Sequence, residues 1–187
     1  MAEKKSISKG AKKKFFDVKV PLTSSKASVY AFSPEEIEGK IIKIDLTRSL
    51  RGKSFDLKSR VKNEGGVLIG EPISLILNGS YIRSMVRRGI DYVEDSFETE
   101  CRDSSVHVKT FLITRQRVSR NVRKVLREET AKYIKAQFKI KNVNELISGL
   151  MSGKFQKDLS LKLKKIYPLA LCEVKSFEVI EKKAKIQ

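Results

Sequence analysis

From Phe15 onward, apolar and polar residues alternate in short runs, the period that sends successive side chains to opposite faces of a strand. In GKIIKIDL, Ile42, Ile44 and Leu46 share one face and Lys43 and Asp45 the other, which predicts a half-buried strand. SFDLKSRV repeats the pattern with Phe55, Leu57 and Val61, and NEGG at 63–66 supplies a turn into VLIGEPISLIL. Pro72 has no N–H to give a ladder, so it predicts an edge or a bulge in the middle of that run. FETEC and VHVKTFLIT predict two further strands around a turn at Arg102, Asp103, Ser104 and Ser105.

Elsewhere the period lengthens to that of a helix. Asn78 or Ser80 can cap YIRSMVRRG, with Tyr81 and Met85 on one face, Arg83 and Arg87 on another, and Gly89 as the stop. A long helix is predicted from Ser119 to Lys139, its core side marked by Val122, Val125 and Leu126 with Tyr133 further along. Asn142 can cap VNELISGLM, which Gly153 ends. The next helix puts Phe155, Leu159, Leu163 and Ile166 on one face before Pro168 stops it. In LALCEVKSFEVIEKK the apolar positions change parity, Cys172 and Val174 even, Phe177 and Val179 odd. A strand accommodates that with a bulge near Lys175 and Ser176. Without internal repeats or a Pro- or Ser-rich linker, the pattern predicts one domain over 15–187. The stretch before it, MAEKKSISKGAKKK at 1–14, has almost no apolar residues and predicts a basic arm, disordered until it meets a partner.

Charge narrows the partner. The 187 residues carry 40 Lys and Arg against 22 Asp and Glu, a formal +18 that disfavours the compact state unless a polyanion is present. On the long helix Arg120, Arg123, Lys124 and Arg127 recur at i, i+3, i+4 and i+7 and form one stripe. Arg115 and Arg117 precede it, and no acid interrupts before Glu128. A solvated face normally interleaves acids at i+4, so this one predicts polyanion binding. RSMVRR adds Arg83, Arg87 and Arg88, LKLKK adds Lys162, Lys164 and Lys165, and the arm adds Lys12, Lys13 and Lys14. A membrane surface fits less well, because these helices lack the large aromatic faces that anchor in lipid. Phosphates do not reveal the sugar, so the charges alone separate RNA from DNA only weakly.

Catalytic chemistry has little to build on. Cys101 and Cys172 form no C-x-x-C pair and His107 is the only histidine, so one chain cannot assemble a structural zinc site. The thiols read as reduced, in a cytosolic setting. Cys101 and His107 lie on either side of the predicted turn, but no orienting third group accompanies them, and no cofactor is implied. The glycines match no phosphate loop, and no apolar run is long enough to span a membrane. The expectation is a binding protein, not an enzyme.

Four stretches in order carry a resemblance: KKKFFDVKVP, YIRSMVRRGID, ITRQRVSRNVRKVLREE and KKIYPLALCEVKSFEVIE. Together, from Lys12 to Glu181, they resemble the small-subunit ribosomal protein S-three-Ae family, also called eS-one, of archaea and eukaryotes. The short C-terminus is closer to archaeal members. The resemblance implies an α+β fold with a β-barrel-like core of mostly antiparallel strands flanked by helices. It also implies a cytoplasmic place on the platform of the small subunit near the mRNA exit and the 3′ end of the rRNA, beside neighbours such as the S11 type of ribosomal protein, with mRNA as a further contact. A free RNA chaperone or translation regulator is the alternative. On either reading RNA phosphates supply the negative charge that the helix stripe lacks.

Overall fold

The computed structural model describes residues 12–23, 26–50 and 52–180. Of the expected basic arm, residues 1–11 lie outside that range; Lys12 and Lys13 precede the first strand, and Lys14 opens it. The described chain is mixed α+β, with eight strands, mostly antiparallel, and four α-helices. Contacts divide it into two compact units, the described parts of 1–44 with 58–72, and of 45–57 with 73–187.

In the first unit, β1 (Lys14–Lys19) and β2 (Lys26–Ala31) form an antiparallel pair, with Phe15 opposite Tyr30 and Asp17 opposite Ser28. A 3-10 turn at Pro34–Glu36 leads to β3 (Ile41–Asp45), which pairs with β4 (Phe55–Glu64); Asp45, Leu46 and residues 55–57 belong to the second unit. The strand alternation reads as expected: Ile42 and Ile44 are half-buried, Leu46 is buried, and Lys43 and Asp45 are exposed. Gly65 and Gly66, both at positive φ, turn β4 into β5 (Val67–Leu77), and the Asn63 side chain accepts from the Gly66 N–H at 3.1 Å. Val18, Ala31, Ile37, Val61 and Leu68 fill the core of this unit. Gly70 permits the close packing there, since a Cβ at that position would meet Val20 Cγ2 at 2.9 Å.

Of the edge or bulge expected at Pro72, the edge is not found. β5 pairs with β1, β4 and β8 (Leu169–Ile180), and Pro72 is buried within it. It falls between Ile69, which pairs with β1, and Ser74, which pairs with β8, so its missing N–H sits where the partner changes.

The second unit continues through α1 (Gly79–Met85), β6 (Tyr92–Glu100), β7 (Ser105–Thr114), α2 (Arg120–Phe138), α3 (Val143–Ser152), α4 (Lys154–Leu163) and β8. β6 and β7 form the expected hairpin, and β7 pairs along its length with β8. The register jumps between Lys109/Ser176 and Thr110/Val174, which leaves Lys175 as the extra residue of the expected bulge. A second shift, at Ala170, was not legible in the pattern.

The helices correct three expectations. Asn78 caps α1 by accepting from the Ser80 N–H, but the helix ends at Met85 and not at Gly89, because Val86 is already extended. A β-branched residue followed by two arginines offers another turn nothing to bury, so Arg87 lies outside the helix. α4 ends at Leu163, and Ile166 sits in the following turn, exposed, not on the buried line of Phe155, Leu159 and Leu163. In α2 the buried line is Leu126, Thr130, Ile134 and Phe138. Val122 starts that line, half-buried in the first turn. Val125 stands roughly 100° around the helix from Leu126 and is 42% exposed. α2 packs on β6 and α4, and α4 on β8 and α3. Phe138 lies at the meeting point, its ring centroid 5.4 Å from that of Phe155 and 5.9 Å from that of Phe177. α3 carries the expected Asn142 cap, as a capping box with Glu145, and ends on Gly153 in the left-handed region.

Candidate nucleic-acid interface

The basic helix is aimed by a polar clamp at its root. Thr114, the last residue of β7, is buried, and its hydroxyl accepts from the Asp91 N–H at 3.1 Å and lies 2.8 Å from the Asp91 carbonyl. The Asp91 carboxylate in turn accepts from the Val118 N–H at 3.0 Å. The segment carrying exposed Arg115 and Arg117 is thereby held across the end of the β6–β7 hairpin, and Ser119 follows as N-cap, accepting from the Val122 N–H.

Four of the predicted cations then converge. Arg120, Arg123, Lys124 and Arg127 line one hollow of about 240 Å³ whose remaining wall is Tyr92, at the start of β6. No carboxylate lines it. Tyr92 is 55% exposed, an aromatic face set among charges, and the sequence pattern did not single it out. Its signal was there in retrospect: a large aromatic at a polar-face strand position, between Asp91 and Val93. The positive stripe also has an end that the helix alone does not show. Arg127 Nε lies 4.0 Å from Asp95 Oδ1 of β6, and beyond it Lys175 holds Glu94 at 3.0 Å. Arg127 is thus partly answered within the protein, while Arg120, Arg123 and Lys124 form the open part of the cluster.

The other predicted cations stand elsewhere. Arg83 is exposed on α1, and Arg87 and Arg88 are exposed just beyond it. Lys162 lies 4.9 Å from the Tyr133 ring centroid, and Lys164 and Lys165 occupy the turn after α4. All three therefore also complement the negative end of that helix. Lys12, Lys13 and Lys14 belong to the first unit, where Lys13 Nζ lies over the Tyr30 and Phe32 rings at 5.7 and 5.1 Å.

The reactive side chains lie in or beside the strands of the sheet. His107 Nε2 is 2.8 Å from Ser96 Oγ across the β6–β7 ladder. Burial, with Asp103 adding to it, pushes the Cys101 thiol up to about 11, and burial, with Glu173 adding to it, pushes Cys172 up to about 12. Both shifts oppose the thiolate a nucleophile needs. Native protein at neutral pH should therefore alkylate at both positions much more slowly than denatured protein, as read by mass spectrometry after iodoacetamide. Because the folded values lie above the unfolded ones, the associated stability is complete below about pH 9 and is lost as pH rises toward 11 and 12. Among the described residues no group of three or more His, Cys, Asp or Glu could hold a metal ion, and no helix is long and apolar enough to cross a membrane.

Residues 1–183 match the Ribosomal S3Ae family. Over 105 residues the chain is 30% identical to small ribosomal subunit protein eS1 of Methanothermobacter thermautotrophicus, covering 56% of this chain and 54% of that one, about half its length. Longer matches are to proteins of the same name from Methanobrevibacter smithii, 23% identical over 90% of this chain and 91% of the other, and from Desulfurococcus amylolyticus, 25% identical over 87% and 80%.

Proposed function

The chain belongs to the Ribosomal S3Ae family, and we propose that it is a structural protein of the small ribosomal subunit, with a part in translation, that holds rRNA phosphates through the N-terminal half of α2. The observation that carries this is the hollow lined by Arg120, Arg123, Lys124, Arg127 and Tyr92 with no carboxylate. Four cations this close repel one another in the free protein, and a phosphate backbone relieves that repulsion while releasing its own counterions. Arginine is suited to the task, since its planar fork engages two phosphate oxygens at once. Arg115 and Arg117, fixed by the Asp91 clamp, extend the same track, and Lys12 to Lys14, the arginines around α1 and the lysines after α4 supply further phosphate contacts. In this reading the protein sits in the cytoplasm on the platform of the small subunit, near the mRNA exit and the rRNA 3′ end, beside the S11 type of ribosomal protein. Its role is architectural.

Arg120→Ala and Arg123→Ala should each make the slope of log K against log salt shallower by about 1 unit, without loss of fold. Arg127→Ala should change it less, because Asp95 already engages that guanidinium. Filter binding of an rRNA fragment across a salt series reads all three. An unchanged slope in the first two variants, in protein whose unfolding curve is that of the parent, would remove α2 from the interface.

A further inference from the structure

On the solvent face of the β1–β2 pair, two aromatic rings stand side by side. Phe15 is 72% exposed and Tyr30 55%, and the two are register partners with ring centroids 4.9 Å apart and planes tilted by 42°. Strand slippage does not explain them. The opposite face of the same strands buries Val18 and Ala31 fully, with Phe16 and Val29 packed beside Ile37, Val61 and Leu68, so the register is the correct one and still turns Phe15 to water. A polar residue would fit that backbone equally well. An exposed aromatic pair at the end of a sheet is a hazard for self-association unless something covers it.

Charge indicates what covers it. Lys13 Nζ lies over the Tyr30 and Phe32 rings, Lys12 precedes it in the chain, and Lys19 is exposed further along the same face. Asp17 is the one acid on this face of the two strands, and its carboxylate already accepts from the Ser28 hydroxyl at 2.7 Å. An exposed aromatic pair flanked by lysines matches a nucleobase, which has a flat π-face, carried on a backbone that has phosphates.

We propose that Phe15 and Tyr30 form a stacking site for one unpaired base of single-stranded RNA, with Lys12, Lys13 and Lys19 meeting the adjoining phosphates. The inference rests on the RNA-binding reading above and sharpens it. The α2 cluster contacts the backbone of any RNA, whereas this face takes a base that pairing has released. Bases inside a duplex are already stacked and cannot reach it, so the site discriminates strandedness and not sequence.

The test uses the full-length protein with two probes, a short unstructured oligoribonucleotide and a blunt RNA duplex. Phe15→Ala should weaken single-strand binding by about five- to a hundredfold and leave duplex binding unchanged. Phe15→Leu, which keeps aliphatic bulk without a π-face, should lose as much, and guards against a mere folding defect. Phe15→Trp should bind like the parent and gives the chain its sole indole, whose fluorescence the oligoribonucleotide should quench and the duplex should not. Single-strand affinity untouched in Phe15→Ala, or an indole that stays bright at saturating oligoribonucleotide, overturns the proposal while the α2 reading stands. Quenching by the salt-extracted proteins of the small subunit but not by RNA would mark the face as a protein contact instead, and likewise overturns it. If the parent binds neither probe, the RNA-binding reading itself fails.

Discussion

Lys53→Met should lower the unfolding free energy by about 3 kcal/mol, the low end of what is lost when one partner of a buried ion pair is removed. The reason lies in its partner. Glu173 is 4% exposed on β8 and takes the Lys53 ammonium on Oε1, while Oε2 has no hydrogen-bond donor among the described residues. Without Lys53 the carboxylate is buried with nothing to offset its lost hydration. Lys53 itself is 35% exposed, so water reaching the gap holds the effect below the upper end of the range. The double variant Lys53→Met with Glu173→Met should recover most of the loss, because the ion pair as a whole contributes little beyond an apolar contact of the same size. Denaturant unfolding of the parent, the single variants and the double variant closes the cycle. A double variant as unstable as Lys53→Met would mean that packing by the lysine stem, and not the stranded charge, is what matters.

Phe138→Ala should cost about 3–5 kcal/mol, the usual range for removing a large aromatic from a core. Phe138 is fully buried at the end of α2 and touches Phe155 of α4 and Phe177 of β8, so the cavity left behind has walls from three elements that cannot all collapse toward it. In a chain of this size that corresponds to a fall in Tm of roughly 6–20 °C, readable by calorimetry or circular dichroism. Val125→Ala on the same helix should change stability by only a few tenths of a kcal/mol, as for other exposed positions. Equal losses from the two substitutions would show that the buried line of α2 has been assigned to the wrong residues.

That line is where the sequence was least explicit. Val122, Val125 and Leu126 have core spacing, but near its N-terminus the helix buries a single row, and Thr130 replaces an apolar residue in it by donating its hydroxyl to the Leu126 carbonyl at 2.6 Å. A threonine in the core row looks like a polar position in any hydrophobicity pattern. Caps and turns were legible at Asn78, Ser119, Asn142 and Gly153 because their chemistry is local. Partners supplied by distant segments were not. Asp95 beside Arg127, Tyr92 beneath the arginines and Glu173 against Lys53 depend on which strands neighbour one another, and periodicity carries no information about that. The four helix cations of the candidate interface could therefore be grouped from the sequence, but not the aromatic wall they share or which of them has an acid from a neighbouring strand beside it.

The bulge at Lys175 also sets what kind of change β8 can absorb over evolutionary time. On the β7 side, Val106, Val108, Thr110 and Leu112 keep one parity throughout, while their partners run Val179, Phe177, Val174 and Cys172 and switch parity at the bulge. Most side chains here can be exchanged for others of similar volume, because the ladder itself is made by the backbone. Loss or gain of one residue between Val174 and Phe177 is different in kind. It would close the ladder with one half of the strand turned inside out, sending Phe177 and Val179 or Cys172 and Val174 to the opposite face. Length is therefore the inherited quantity in this segment, and insertions and deletions should be purged from it even where substitutions accumulate.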